Sequence, residues 1–349
     1  MVSGPFSVDI VIPNLNGRHM LAGCLDSIRR QTWGDWRVSV VDNGSTDGSA
    51  EWLRKAHPEV RLIALGKNTG FSPAVNLGIR AGNRPLVFLL NNDTELAPDC
   101  LEQLVRAAET QPDHAFFAPR MLSFHQRHLL DGAGEGYLRG GAGYRLGTME
   151  ADGPPYDRAR TVFGACAGAA LYRREPFAAL GWFDDDFFAY LEDVDLNLRA
   201  GRAGLRCRYV PAARVYHIGS ATSGSKFNDL TIRLSTRNSL WVLARNYPAG
   251  LLLRWVAVIA VYQGLWLVFA VKKGQLRPYL AGLVEGLRGL GRMRGTFRAM
   301  AARSDNRHLA EWTASLCRAE GEVIDSIMRR RAGQGRGNRL LQLYRRIFL

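Results

Sequence analysis

Apolar positions in the first hundred residues fall into short continuous runs separated by helically spaced sets. Val8 to Pro13 (VDIVIP) is an apolar run that ends in Pro and Asn, and Leu21, Leu25 and Ile28 follow at spacings of four and three. A strand, a loop and a helix are predicted. Trp36 to Val41 predicts a second strand that stops at Asp42, with a helix over Ala50 to Ala56. Val60 to Leu65 and Pro85 to Leu90 predict further strands, and Ser72 to Ala81 and Pro98 to Ala108 further helices. Such alternation predicts an α/β fold with a mostly parallel sheet and helices on both faces.

In open sheets of this kind ligands bind beyond the carboxyl ends of the strands. The polar clusters Asn14 to Gly17 (with Asn16), Asp42 to Ser49, Asn68 to Gly70 and Asn91 to Asp93 each follow a predicted strand. They are expected to share one rim. Further on, seven glycines between Gly132 and Gly147 predict a loop or hairpin region. Cys207 to Val210 and Arg214 to Tyr216 read as strand segments ahead of His217.

The pattern changes at residues 251–271, LLLRWVAVIAVYQGLWLVFAV. The uncharged run from Trp255 to Val271 is 17 residues long, the short end of the roughly 17 to 25 that span a bilayer. Its bland reading is a buried core helix. Arg237, Arg245 and Arg254 precede the segment, and Lys272, Lys273, Arg277 and Arg288 follow it, so flanking charge assigns no orientation. A re-entrant or interfacial position, with Trp255, Tyr262 and Trp266 at headgroup level, reconciles the two flanks; a single span is the alternative.

Composition sharpens this division. The chain has 349 residues, 47% hydrophobic and 22% charged, with a net charge of +14. Disorder and a peptide-sized module are excluded, and the length suffices for a core without staples. Residues 272–349 hold 17 basic and 6 acidic side chains, so +11 of the charge belongs to the tail. Nucleic acid and anionic lipid are both partners for such a tail, and the apolar segment before it favours the membrane. Five scattered cysteines without CxxC spacing indicate neither a zinc site nor a secreted disulfide framework, and fit a reducing cytoplasm. The first 20 residues lack the layout of a signal peptide, so the chain is expected to begin near Met1.

Three groups of residues carry candidate chemistry. Asp93 ends a very apolar strand, where a carboxylate can hold a divalent cation that substrate phosphates also ligate; alone, it reads equally as a turn former. Asp42 lies in DNGSTDGS, which is also composed like an ordinary loop with Asp47 capping the next helix. In FFAYLEDVDLNLR, Glu192, Asp193 and Asp195 fall in one helical turn. Clustered carboxylates repel, which raises at least one pKa and suits a general base, although acids at a helix N-terminus also compensate its dipole. His217 in VYHIGS is the third. Neither GxGxxG after the first strand nor a Walker loop occurs, so dinucleotide and P-loop readings lose their main support.

Taken in order, VIPNLNG, SIRRQT, VVDNGSTDGS, KNTGFSPAVNLGI, FLLNNDTEL, the long segment from GACAGAALYRREPF to VYHIGS, and STRNSLWVLARNYP resemble an inverting family 2 glycosyltransferase of the rhamnosyltransferase-like branch. The resemblance runs from about Val8 to about Pro248. It implies the GT-A fold, a mixed, mostly parallel sheet flanked by helices; the helical membrane-associated extension is expected from the apolar and basic pattern of residues 251–349. The domains implied are a catalytic domain over 1–250 (nucleotide half about 1–110, acceptor half about 111–250), the apolar segment 251–271 and a basic helical tail 272–349.

By the resemblance, Asp42 binds the nucleotide base, with Pro13, Asn14, Asn16, Asn68, Asn76, Asn91, Asn92 and Gly168 also at the nucleotide sugar. Asp93 and His217 hold the metal, Mg2+ or Mn2+. Asp193 of the Glu192, Asp193 pair is the base, and Trp182 and Asp195 line the acceptor pocket. Asn91 stands where many relatives have the first acid of a DxD, which weakens any charged contact from that position. The implied reaction moves a sugar from a nucleotide diphosphate, dTDP-rhamnose first and a UDP-hexose second, to a glycan or lipid-linked acceptor in surface polysaccharide synthesis at the cytoplasmic face of the membrane. A nucleotidyltransferase is a second reading, but VIPNLNGRH lacks its glycine-rich basic loop. A nucleic-acid binder acting through the tail is a third; few aromatic residues interleave with the tail's arginines, and no nucleic-acid partner is expected.

Overall fold

The computed structural model describes residues 6–219, 227–301 and 308–349. The chain divides into two compact units, each discontinuous in sequence. The first comprises Met1–Glu135, Arg145–Phe188 and Leu205–Thr222; the second comprises Gly136–Tyr144, Ala189–Gly204 and Ser223–Leu349.

The first unit begins with β1 (Val8–Asn14), α1 (Arg18–Arg29), β2 (Trp36–Asp42), α2 (Ser49–Ala56), β3 (Arg61–Ala64), α3 (Phe71–Ala81) and β4 (Leu86–Leu90), close to the predicted spans. Then follow β5 (Thr94–Leu96), α4 (Cys100–Thr110), β6 (His114–Ser123), β7 (Leu130–Ala133), then β8 (Glu135–Leu138) and β9 (Ala142–Arg145), whose residues Gly136–Tyr144 belong to the second unit, and β10 (Arg160–Val162), β11 (Ala169–Arg173) and α5 (Arg174–Leu180). After α6 (Glu192–Arg202) of the second unit, β12 (Arg206–His217) completes a mixed ten-stranded sheet. Its order is β10-β12-β6-β11-β4-β1-β2-β3, with β5 on β12 and β7 on β6. The pairs among β3, β2, β1 and β4 are parallel, as is β6 with β12, while β11 runs antiparallel to both its neighbours.

Period-two alternation decides what packs where. Val8, Ile10 and Ile12 of β1 join Leu86, Phe88 and Leu90 of β4 in a core with Leu21 and Leu25 of α1 and Leu101 and Leu104 of α4. Helix α3 packs on β1 and β2. A strand covered on both faces reads as an uninterrupted apolar run, which is why β4, LVFLL, is buried throughout. The glycine-rich middle contains β7 and a separate two-stranded pairing of β8 with β9, in keeping with its reading as loop or hairpin. The two strand segments ahead of His217 are one strand with a register shift between Val210 and Arg214; the irregularity accommodates Pro211, which cannot donate to a ladder.

The second unit is helical: α6, then α7 (Asp229–Asn246), α8 (Ala249–Arg254), α9 (Val256–Lys272), α10 (Leu276–Ala301), α11 (Leu309–Gly333) and α12 (Arg339–Phe348). The apolar segment and basic tail thus share a unit with α6 and α7. Glycines let α10 lie close on α7: a Cβ at Gly282 would stand 2.2 Å from the Arg233 carbonyl oxygen, and one at Gly286 2.7 Å from Leu240. Arg139 is buried in this unit with Glu320 of α11, and donates to the Phe348 carbonyl at 2.8 Å. Among the described residues no helix is long and apolar enough to cross a membrane.

Candidate active site

The parallel register sets Asn14 opposite Asp42 at the carboxyl ends of β1 and β2. Asn14 Nδ2 donates to Asp42 Oδ1 at 3.1 Å, and Asn92 Nδ2 donates to Asn14 Oδ1 at 2.7 Å. The Ser45 amide donates to Asp42 Oδ2 at 3.2 Å, and Ser45 Oγ accepts from the Asn16 amide at 2.9 Å. The expected rim therefore exists as one hydrogen-bonded cluster from β1, β2 and the turn after β4. Gly17 is required beside it, since a Cβ there would stand 2.1 Å from Asn92 Nδ2. Asn68 joins through Asn43, whose Nδ2 donates to Asn68 Oδ1 at 3.1 Å. The Asn91 amide donates to the Gly168 carbonyl at 2.8 Å, joining the β4 turn to the approach of β11.

Asp93 and His217 are brought together by antiparallel pairing of β5 with β12, which places His217 opposite Thr94. His217 Nε2 lies 3.3 Å from Asp93 Oδ1, and His217 Nδ1 lies 2.7 Å from Asp131 Oδ2. Arg145 pairs with the same Asp131 oxygen. Burial alone opposes a charge on the imidazole, but hydrogen bonds and the charges of Asp131 and Asp93 outweigh it and push its pKa up to about 9. Burial would likewise raise the Asp93 carboxyl, yet the histidine beside it holds the group below the usual carboxylate value.

These residues fit a divalent cation in part. Asp93 Oδ1 is buried and, among the described residues, has no hydrogen-bond donor in proper geometry, an oxygen of the kind hard cations take. Among the described residues no three His, Cys, Asp or Glu side chains form a metal cage. The donor set matches a cation that also depends on substrate phosphates and water, as Mg2+ does.

In the second unit, Glu192, Asp193 and Asp195 occupy the first turn of α6. Glu192 is buried and, among the described residues, its Oε2 has no hydrogen-bond partner; burial first, and the Asp193 charge second, push its carboxyl well above the ordinary glutamate value. Asp193 is half-buried, with Oδ1 accepting from the Val194 amide at 2.9 Å. Asp195 is 0% exposed. Its Oδ2 takes Arg199 Nε at 2.8 Å, and its Oδ1 lies 2.9 Å from Asn246 Nδ2 and 3.0 Å from Arg245 Nε. Oδ2 is held by Arg199 within α6, while Oδ1 ties α6 to Arg245 and Asn246 of α7.

Two further expected residues hold their own unit together. Asn76 donates to the Phe183 carbonyl at 2.8 Å and to Asp185 Oδ1 at 2.7 Å, which fixes the 183–185 segment. Trp182 stacks on Phe177 with ring centroids 5.4 Å apart. Pro13, next to the end of β1, stands opposite Val41. Sequence reasoning missed Asn43, Asp131 and Arg145 as site residues. Asn43 was readable, being next to Asp42; Asp131 and Arg145 belong to no local motif and reach His217 only through strand pairing.

Residues 9–181 match the family described as Glycosyl transferase family 2. The N-acetylglucosaminyl-diphospho-decaprenol L-rhamnosyltransferase of Mycobacterium tuberculosis is 32% identical over 212 residues, which cover 54% of this chain and 68% of that protein. An N-acetylglucosaminyltransferase of Rhizobium sp. is 30% identical over 225 residues, covering 59% of this chain and 47% of the relative. Among solved structures, the crystal structure of GalNAc-T7 with UDP, GalNAc and Mn2+ aligns at a TM-score of 0.53 and 13% identity, over 77% of this chain and 58% of the other. That last likeness is one of fold alone.

Proposed function

The chain belongs to glycosyl transferase family 2, in its rhamnosyltransferase-like branch, and from that premise we propose that it transfers L-rhamnose from a nucleotide diphosphate to a lipid-linked glycan, working at the cytoplasmic face of a membrane. The observation that carries the reading is the Asp42, Asn14 and Asn92 cluster at the strand ends, in the same unit as Asp93 and His217. Asp42 is the acceptor for the nucleotide base, and Asn14 and Ser45 orient it. The rhamnose and the lipid diphosphate are suggested by what the mycobacterial relative's name says of that protein. A hexosamine donor carried on UDP is the second reading, favoured by relatives named as N-acetylglucosaminyltransferases.

Asp93 would hold a divalent cation, with His217 as a nitrogen donor once cation binding has displaced its proton, and the cation would supply neutralisation of the charge that builds on the diphosphate as it leaves. Asp193 takes the proton of the attacking acceptor hydroxyl while the bond from sugar to diphosphate breaks, inverting the anomeric carbon in one displacement. Burial pushes Glu192 beside it towards the neutral acid, which lowers the repulsion that Asp193 would otherwise feel. The rim and the α6 acids belong to different units, and the proposal assigns them consecutive tasks: donor binding and proton removal.

Assay of a panel of nucleotide sugars, with and without manganese, tests the donor: selective turnover of dTDP-rhamnose is expected, and selective turnover of a UDP-hexosamine replaces it with the second reading. Asp193→Asn is expected to lower transfer by about 10²- to 10⁴-fold, the usual worth of a general base, with donor affinity nearly unchanged. Retained turnover in that variant removes Asp193 from the role. Undiminished activity in EDTA removes the cation.

A further inference from the structure

Helix α9 is half pinned and half open. On one side Gln263 Nε2 donates to the Gly140 carbonyl at 2.9 Å and to Ser239 Oγ at 2.8 Å, and Trp266 Nε1 donates to Thr236 Oγ1 at 2.8 Å. On the other, Val256, Val261, Leu265, Val268 and Val271 are exposed, Leu265 to 63%. At 100° per residue they cover about half the circumference. Apart from Lys272 at its C-terminal end, the exposed half carries no charged side chain. Soluble surfaces rarely leave so continuous an apolar face uncovered.

Two neighbouring elements of the same unit repeat the pattern with a basic edge. In α10, Leu276, Leu280, Val284 and Leu287 are exposed within an arc of about 80°, and exposed Arg277 and Arg288 lie just past it. In α12, Tyr344 turns inward to Glu320, 2.7 Å away. Leu340, Leu343 and Ile347 turn outward, Leu340 to 82% exposed. Arg339 and Arg346 border that stripe, about 40 to 60° beyond Leu343. Buried Arg139 joins the helices: its guanidinium lies 5.3 Å from the Trp255 ring at the start of α9 and bonds Phe348 at the end of α12. Leu253, 77% exposed, and Ile347 therefore flank one anchored point.

We propose that α9, α10 and α12 form a lipid-binding face that seats the second unit in the headgroup boundary of an anionic bilayer, with the bordering arginines on lipid phosphates. This deepens, and rests on, the membrane reading of the preceding section by naming the face and its mode. Helix α9 has 17 residues, about 25 Å against a hydrocarbon core of about 30 Å, and one side is committed to protein. It lies along the membrane surface and does not cross. A second copy of the chain fits the face less well, because a twofold contact apposes each patch to itself and would bring basic border against basic border.

The test uses the full chain and sedimentation with vesicles of phosphatidylcholine containing about one-third phosphatidylglycerol, against pure phosphatidylcholine. Binding to the anionic vesicles that weakens as salt rises is expected. Leu265→Glu with Leu343→Glu should lower it by at least about tenfold with thermal melting unchanged, since both side chains are exposed. Arg339→Glu with Arg346→Glu should abolish the preference for anionic lipid. Equal sedimentation of wild type and the double-leucine variant overturns the proposal, as does a wild-type dimer that this variant dissociates. Donor hydrolysis without vesicles separates the two readings: hydrolysis retained without vesicle binding removes only the lipid face, and vesicle binding without hydrolysis leaves the face standing and removes the donor assignment.

Discussion

In the first unit Asp93 is 5% exposed and keeps its charge because His217 stands 3.3 Å away, itself held by Asp131. In α6 of the second unit Glu192 is 6% exposed, has no such partner, and has its carboxyl pushed towards the neutral acid. One turn further on, Asp195 is more deeply buried than either and is held below the ordinary value, because Arg245, Arg199 and Asn246 together outweigh its desolvation. Burial alone does not decide the charge of an acid in this protein; the cations supplied with it do. The two clusters thus differ in charge state for a physical reason, and the roles proposed for them, donor binding and proton removal, draw on that difference.

Removing the compensated charge tests this contrast most severely. Asp195→Asn removes the carboxylate that Arg199 and Arg245 share, and breaking a buried pair in this way costs about 3 to 5 kcal/mol. Urea denaturation should report that loss, and a change below about 1 kcal/mol would mean that the arginines find water or another acid.

Much of this arrangement was legible in the chain. Polar clusters after apolar runs located Asn14, Asp42 and Asp93, because a parallel sheet brings strand ends to one rim. The crowding of Glu192, Asp193 and Asp195 in one turn followed from spacing alone. What spacing could not reveal is which acid is neutral. Arg199, four residues from Asp195, was visible on the helix, but Arg245 and Asn246 lie on α7 some 50 residues later. Asp131 was hidden for a related reason: it reaches His217 through the antiparallel pairing of β6 with β7, whose register shifts at Met121. The same separation hid the role of Asn76, whose partners lie beyond residue 180.

A smaller effect should come from the backbone that leads into α6. Tyr190 and Leu191 adopt left-handed conformations, φ 68° and 63°, which are strained for such side chains. Asn238, buried in α7, donates to the Ala189 carbonyl at 2.9 Å and to the Tyr190 carbonyl at 2.6 Å. The geometry makes Asn238 a positioning residue for the acids that follow. Asn238→Ala is expected to cost about 1 to 3 kcal/mol of stability from the unmet carbonyls. Turnover should fall about tenfold, the effect of a displacement worth about 1.4 kcal/mol in the transition state, while the donor KM stays put. A rise in donor KM at constant kcat would show that the residue serves binding instead.

The finest test leaves the shape of the cluster unchanged and alters only its ability to titrate. Glu192→Gln replaces a carboxyl that burial pushes towards its neutral form with a neutral amide, so turnover should change less than in Asp193→Asn. The difference belongs in the pH dependence of stability. A carboxyl whose folded pKa lies above its unfolded value of about 4.5 contributes stability that is complete below that value. The contribution is lost as pH rises through the folded pKa, because the unfolded chain releases the proton first. Each pKa unit of the difference is worth about 1.4 kcal/mol. Denaturation midpoints measured from pH 4 to pH 9 should therefore decline for the wild type along a limb that is flatter in Glu192→Gln. Parallel curves for the two proteins would mean that Glu192 is ionised in the fold, and that α6, like the Asp93 site, finds a cation for each of its acids.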